Sequence, residues 1–320
     1  MSARVVVTDH TFPTVSQEQA AAQANGADFA AFQCKTADEV AEAVSGADVV
    51  AVQFAPFGVA ACQAVNPRAT IIRYGVGYDN IDLKAARRAG LKIGYVPDYC
   101  SDEVADHTAA TILALLRKLM PLDASVRRLE WAAVRCARPL KPFDMTTIGF
   151  FGLGQIGRAV HQRLAGFGFR FLASDPGLTA EQAGTMNVER VDAEELIRRA
   201  DLITLHAPAT AQTNRFFNAE RLARMQPHAM IVNTARGPLI VEEDLARALS
   251  DGVIAGAALD VFETEPLPAD SPLRGAPNLL LSPHAAWYSE TAIDRLQGLV
   301  AADIERALQG QPPRKPVPLA

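Results

Sequence analysis

Between residues 147 and 281 six short β-like runs recur, with helical patterns in most of the gaps. They are Thr147–Phe151, Arg170–Ser174, Leu202–His206, Ala229–Asn233, Gly256–Val261 and Asn278–Leu281. Strands that alternate with helices form a parallel sheet with the helices laid on its faces. Six such strands make a complete doubly wound sheet of the kind that carries dinucleotides. That recurrence leaves little freedom in how this half of the chain can fold.

The first run leads into Gly152-Leu153-Gly154-Gln155-Ile156-Gly157, a G-x-G-x-x-G pattern that opens the next helical stretch. Glycine triplets arise by chance, so the strand before and the helix after give this one its meaning. Gly152 permits the tight turn, Gly154 lets the main chain approach a pyrophosphate, and Gly157 allows close helix–strand packing. Amides around Gln155 and Ile156, at a helix N-terminus, then face phosphate. Asp175 ends the next strand, 18 residues past Gly157. Its carboxylate is placed to accept a ribose 2′-hydroxyl and to repel a 2′-phosphate by roughly 1–4 kcal/mol at contact distance. NAD is therefore the expected cofactor, over NADP. Gly75-Val76-Gly77 has no third glycine or acidic partner and is not read as a second nucleotide site.

The first hundred residues alternate in the same way. Arg4–Thr8, Asp48–Gln53, Thr70–Arg73 and Leu91–Tyr95 are β-like, while Gln17–Gln23 and Thr36–Val44 are helical in pattern. The pattern breaks at Val96-Pro97-Asp98, and a long helix is expected from Ser101 to about Leu119, ended by Pro121. A last helix follows Ser289, after the second sheet is complete, so it is expected to return to the first domain. The fold class is α/β, with two doubly wound parallel-sheet domains and a Rossmann NAD-binding domain (99–288) inserted in a flavodoxin-like substrate domain (1–98 and 289–320). Two chain crossings would then form a hinge beside a cleft.

Three titratable residues lie at the ends of successive runs. Arg236 follows Ile231–Ala235, Glu265 lies just past Ala257–Val261, and His284 follows Leu279–Pro283. In open α/β sheets ligands bind beyond the carboxyl ends of the strands. An acid–base catalyst, a group that tunes it and an anion anchor would make a reaction centre for a carboxylic acid. Glu263 competes with Glu265 for the carboxylate role.

Composition narrows the classes further. A net charge of −5 gives no support for a nucleic-acid partner, and no apolar stretch reaches the length of a membrane span. Cys34, Cys62, Cys100 and Cys136 lack metal-like or C-x-x-C spacing, which fits reduced thiols in the cytoplasm. No metal is expected.

With these residues in view the chain resembles the D-isomer-specific 2-hydroxyacid dehydrogenases from about Asp48 to the final helix. The resemblance rests on Arg73–Asp82, the glycine loop, Asn233–Gly237, Ala258–Pro266 and Ser282-Pro283-His284. It implies an NAD-dependent 2-hydroxyacid dehydrogenase or 2-keto acid reductase, with Arg236, Glu265 and His284 catalytic. It implies that Asp260 holds the nicotinamide carboxamide and that backbone amides at Val76 and Gly77 bind the substrate carboxylate. His284 would protonate the keto oxygen, Glu265 would favour its imidazolium, and reduction would fade as pH rises. Arg236 would grip the carboxylate or carbonyl. His206, Ala207, Thr234 and Ala235 are expected beside the cofactor, although His206 could instead cap its strand.

Pro283–Glu290, with Trp287, looks most like the C-terminal-binding-protein branch of the family. Trp287 is therefore taken as a substrate-binding residue. Phe54, Tyr74, Tyr99 and Cys100 either join it in a pocket or form domain-interface core. The branch also offers an alternative function, an NADH-responsive dimeric scaffold for other proteins. The chain begins almost at its first strand and stops soon after its last helix, which favours the enzyme. A homodimer is expected through the 101–119 helix and the Trp131 region. His107 is read as an interfacial histidine, and His10, His161 and His228 as surface or packing residues.

Overall fold

The structure, a computed structural model, describes residues 2–317. The chain divides into two compact units, one running through Cys100 and resuming at Tyr288, the other spanning Ser101–Trp287.

In the first unit five parallel strands, β1 (Arg4–Val7), β2 (Asp28–Ala31), β3 (Val49–Val52), β4 (Thr70–Arg73) and β5 (Lys92–Tyr95), stand in the order β2-β1-β3-β4-β5. This is the flavodoxin-like doubly wound order. Strands β1, β3 and β4 are apolar because both faces are covered, and Val6, Val50, Val52 and Ile71 share one core. Strand β2, an edge strand absent from the sequence reading, has only the short run Phe29-Ala30-Ala31 to mark it, and its Asp28 and Ala31 face solvent. At the carboxyl ends of β1 and β3, Asp9 accepts from the amides of Gln53, Phe54 and Ala55 at 3.0, 2.6 and 3.0 Å.

The closing helix Glu290–Leu308 lies in this unit against the first helix, Ser16–Ala24, where Gln17 Nε2 donates to Asp294 Oδ1 at 2.8 Å. The segment after it runs antiparallel along β5. Tyr95 N–H donates to Lys315 O at 3.1 Å and Val317 N–H to Ile93 O at 2.8 Å. The segment thereby covers an edge that would otherwise offer unpaired main chain.

The second unit has seven parallel strands: β6 (Thr147–Phe151), β7 (Arg170–Ser174), β8 (Glu189–Arg190), β9 (Leu202–Leu205), β10 (Met230–Asn233), β11 (Gly256–Leu259) and β12 (Leu279–Leu281). Their order, β12-β11-β10-β9-β6-β7-β8, is the Rossmann order with one strand added beyond β11. The sequence pattern counted six. Strand β8 is two exposed charged residues on the sheet edge, with no apolar run to show it.

The expected 101–119 helix also needs correction. It runs Ser101–Leu116, the chain turns at Lys118 in the left-handed region (φ 54°), and a second helix spans Leu119–Arg127. Pro121 therefore sits in the first turn of a helix, where its missing N–H costs nothing, and ends none. Among the described residues no helix is long and apolar enough to cross a membrane.

Candidate active site

The glycine loop sits at the switch point of the second sheet, between β6 and its neighbour β9. Gly152 has φ 89°, and a Cβ there would lie 2.8 Å from the Ala207 nitrogen. A Cβ on Gly157 would come 2.9 Å from Gly152 O, so the helix start is pressed against the loop. Gly154 differs, because a Cβ there would meet nothing within 4 Å. It precedes the helix Gln155–Leu164 without a side-chain cap. Among the described residues the amides of Gly154, Gln155 and Ile156 meet no main-chain acceptor. Open space beside uncapped helix amides is what a diphosphate requires, so these residues fit NAD.

Asp175 holds this loop in place. Its Oδ2 accepts from Leu153 N–H at 2.6 Å and its Oδ1 from Gly177 N–H at 2.7 Å. The His206 ring is turned inward, with Nε2 2.9 Å from Thr204 Oγ1 and the ring stacked on Phe150. Burial pushes its pKa down to about 3, which keeps the imidazole neutral. Beside the loop it presents main chain to Gly152, as Ala207 does, and the edge of its ring to Gly157.

Arg236, Glu265 and His284 follow β10, β11 and β12. Glu265 Oε2 lies 2.6 Å from His284 Nδ1, and its Oε1 accepts from Phe262 N–H at 2.9 Å. Burial works to raise the Glu265 pKa. The His284 hydrogen bond and charge, the Phe262 amide and the Arg236 guanidinium outweigh it and hold the carboxyl below the usual range. Glu263, the competing carboxylate, is instead paired with Arg215 at 2.7 Å.

Arg236 is presented by a turn that Asn233 ties. Asn233 Oδ1 accepts from Ala235 N–H at 3.0 Å, and its Nδ2 donates to Arg236 O at 2.8 Å. The next residue must be glycine, since a Cβ on Gly237 would fall 1.9 Å from the Phe262 carbonyl carbon. That contact brings the chain after β10 against the chain after β11. Thr234 Oγ1 meets Thr108 Oγ1 at 2.8 Å. His284 has φ 51°, a left-handed conformation that a side chain disfavours and that surrounding structure has to impose. Asp260, buried at the end of β11, imposes it. Its main-chain O accepts from His284 N–H at 2.7 Å, and its carboxylate accepts from the amides of Ala285 and Ala286, each at 2.9 Å. Ser282 Oγ adds a further donor at 2.5 Å. Trp287 follows directly and is half-buried.

Val76 and Gly77 belong to the first unit, in the loop after β4. Neither amide meets an acceptor among the described residues. Asn80 braces the loop by donating to Ala55 O at 2.9 Å. Tyr74 is core of that unit, with its hydroxyl 2.9 Å from Glu18 Oε1 and its ring against Phe12. Tyr99 and Cys100 are buried, and Phe54 is exposed.

Sequence reasoning gave no separate part to Asn233, Gly237 or Ser282. An Asn closing a strand just before a polar turn is a recognisable Asx signal. The tasks of Gly237 and Ser282 depend on partners distant in sequence and left no local sign. Among the described residues no group of three His, Cys, Asp or Glu side chains could hold a metal.

Residues 109–286 match the model of the family described as D-isomer specific 2-hydroxyacid dehydrogenase, NAD binding domain. A glyoxylate reductase of Korarchaeum cryptofilum (strain OPF8) is 36% identical over 245 residues, covering 76% of this chain and 74% of that protein. Among solved structures, a protein of Thermus thermophilus aligns with a TM-score of 0.85 at 30% identity, over 98% of this chain and 99% of that one. A D-lactate dehydrogenase of Aquifex aeolicus, complexed with NAD and lactic acid, aligns with a TM-score of 0.86 at 25% identity, over 96% of each chain.

Proposed function

The chain belongs to the D-isomer specific 2-hydroxyacid dehydrogenase family, and from that premise we propose that it reduces a 2-keto acid with Arg236, Glu265 and His284 as its reacting centre. It is an NAD-dependent oxidoreductase acting on 2-hydroxy acids. The observation that carries the residue assignment is the 2.6 Å pair between Glu265 and His284, held after β11 and β12 with Arg236 contributing charge. The likeness to the C-terminal-binding-protein branch stays with Pro283–Glu290 as a resemblance.

The bound cofactor would supply hydride as NADH in reduction and accept it as NAD+ in oxidation. Gly152, Gly154, Gln155, Ile156 and Gly157 suit its diphosphate, and Asp175 its adenosine ribose. His206, Ala207, Thr234, Ala235 and Asp260 are assigned to the remainder of the cofactor. Glu265 engages Nδ1 of His284, which gives proton exchange with the substrate oxygen to Nε2. A positioned acid of this kind contributes about 10²–10⁴-fold in rate. Arg236 donates charge-assisted bonds to the substrate carboxylate or carbonyl, worth about 1.5–3 kcal/mol each. The open amides of Val76 and Gly77 are assigned to the carboxylate, and Trp287 to the substituent at the keto carbon.

The relatives act, by their names, on glyoxylate and lactate, so small 2-keto acids are the first substrates to try. NADH and NADPH oxidation is to be followed with glyoxylate, hydroxypyruvate and phenylpyruvate, using wild type and Trp287→Ala. Turnover with at least one acid and preference for NADH are expected, with the order of preference altered in Trp287→Ala. No turnover on any acid would sink the functional reading, and an unaltered order would remove Trp287 from the pocket. The reading also takes the protein as a cytoplasmic homodimer. Four free thiols support the compartment, and exposed apolar side chains at Leu129, Trp131 and Val134 support the dimer.

A further inference from the structure

We propose that His107 is a positioning residue for His284, acting through Ser282 and Asp260. The proposal rests on His284 being the acid–base group assigned above.

The helix Ser101–Leu116 places two polar side chains against the strand ends of its own unit. Thr108 meets Thr234, and His107 Nε2 lies 3.4 Å from Ser282 Oγ and 3.9 Å from Asp260 Oδ1. A hydroxyl has one proton to give. Ser282 spends that proton on Asp260 Oδ1 at 2.5 Å, so towards His107 it can only accept. His107 Nε2 must therefore carry the hydrogen. The direction of the chain is fixed: imidazole N–H to hydroxyl, then hydroxyl to carboxylate.

The carboxylate at the end of this chain is 2% exposed and is the anchor of the catalytic turn. A buried carboxylate is costly unless donors fill its lone pairs. Asp260 receives Ser282, Ala285 and Ala286, and its own carbonyl receives the amide of His284. The left-handed conformation at His284 is disfavoured by roughly 1–3 kcal/mol, so it persists only while this anchor holds. His107 keeps the Ser282 proton pointed at Asp260. Without it the hydroxyl is free to rotate towards another acceptor, the carboxylate loses a donor, and the turn that presents His284 loosens. His107 bears on His284 through Ser282 and Asp260.

Two variants separate hydrogen bonding from packing. His107→Phe keeps a ring but removes the N–H, whereas His107→Gln keeps a donor near the position of Nε2. Amide hydrogen exchange at Ala285 and Ala286 is measured by NMR on the full chain, alongside steady-state kinetics with NADH and glyoxylate. In His107→Phe both amides are expected to exchange about tenfold faster and kcat to fall about tenfold, the factor for one lost hydrogen bond of ordinary strength. His107→Gln is expected to restore both exchange and kcat. Wild-type exchange in His107→Phe would overturn the proposal. So would equal impairment in His107→Gln, which would mean that the ring serves only as packing. Should His107→Phe not fold, Ser282→Ala breaks the same chain at its middle and is expected to show the same exchange. A wild type inactive on every keto acid would count against the functional reading, while the exchange rates would still decide the link to Asp260.

Discussion

Glu265 and His284 are each about 30% exposed, at 31% and 29%, yet their contact is short and their environment is charged. The Glu265 carboxyl titrates below its usual value of 4.5 because its donors and neighbouring positive charges outweigh its burial. A carboxylate whose folded value is depressed contributes stability above its unfolded value, and that contribution is lost as pH falls through the folded value. Glu265→Gln is therefore expected to weaken the dependence of stability on pH below about 4.5. It is also expected to lower kcat by about 10–100-fold, less than the 10²–10⁴-fold of losing the proton carrier itself. Urea unfolding between about pH 5 and pH 3 and kinetics at neutral pH check both. Identical acid slopes in wild type and variant would contradict the charge argument. Arg236, Glu265 and His284 were legible in the sequence because each bears its chemistry on its own side chain and follows a strand. Asn233, Gly237 and Ser282 were not singled out, because what they do is hold main chain that arrives from elsewhere.

At the scale of elements, ten of the twelve described strands announced themselves, and the edge strands β2 and β8 did not. Strand β2 is a short, alanine-rich run with exposed ends and β8 is two exposed charged residues, so their presence shows only in the hydrogen-bonded sheets. The long helix was overextended because Pro121 was read as its end, and nothing in the sequence pattern marks the left-handed turn at Lys118. The first helix, Ser16–Ala24, hides a different feature. Glu18 is fully buried, with the Tyr74 hydroxyl at 2.9 Å and Gln297 Nε2 at 3.2 Å. Burial raises its pKa above 4.5 in spite of these donors. The folded state then binds more protons than the unfolded one between the two values, so stability falls as pH rises through that window. Glu18→Gln keeps both hydrogen-bond partners and removes the titration. Relative to wild type it is expected to be more stable at about pH 8 than at about pH 5, by comparison of urea midpoints. A difference independent of pH would show that the carboxyl is not ionising in place.

For the molecule as a whole, two doubly wound sheets were legible because alternation of strand and helix repeats on both sides of Val96-Pro97-Asp98. What alternation could not supply is how the surface is completed. Leu129, Trp131 and Val134 are 96%, 95% and 71% exposed, three large apolar side chains within six residues. Single exposed apolar residues are ordinary, whereas a cluster headed by a tryptophan is the kind of patch that fits the proposed dimer. Covering one large aromatic buries about 150–250 Å², worth roughly 4–6 kcal/mol at about 25 cal/mol per Å² before the costs of association. A stable interface needs about 800 Å² from each partner, which the Leu119–Arg127 and Ala133–Ala137 helices can contribute to but not provide through Trp131 alone. The mass in solution, by light scattering across a dilution series, is therefore expected to be twice that of one chain. Trp131→Glu places a charge where the association needs an apolar ring, and it should shift the mass towards a single chain while leaving NADH binding intact. A wild type that stays at the mass of one chain at every concentration would refute the dimer. A Trp131→Glu variant that stays dimeric would move the interface off this segment.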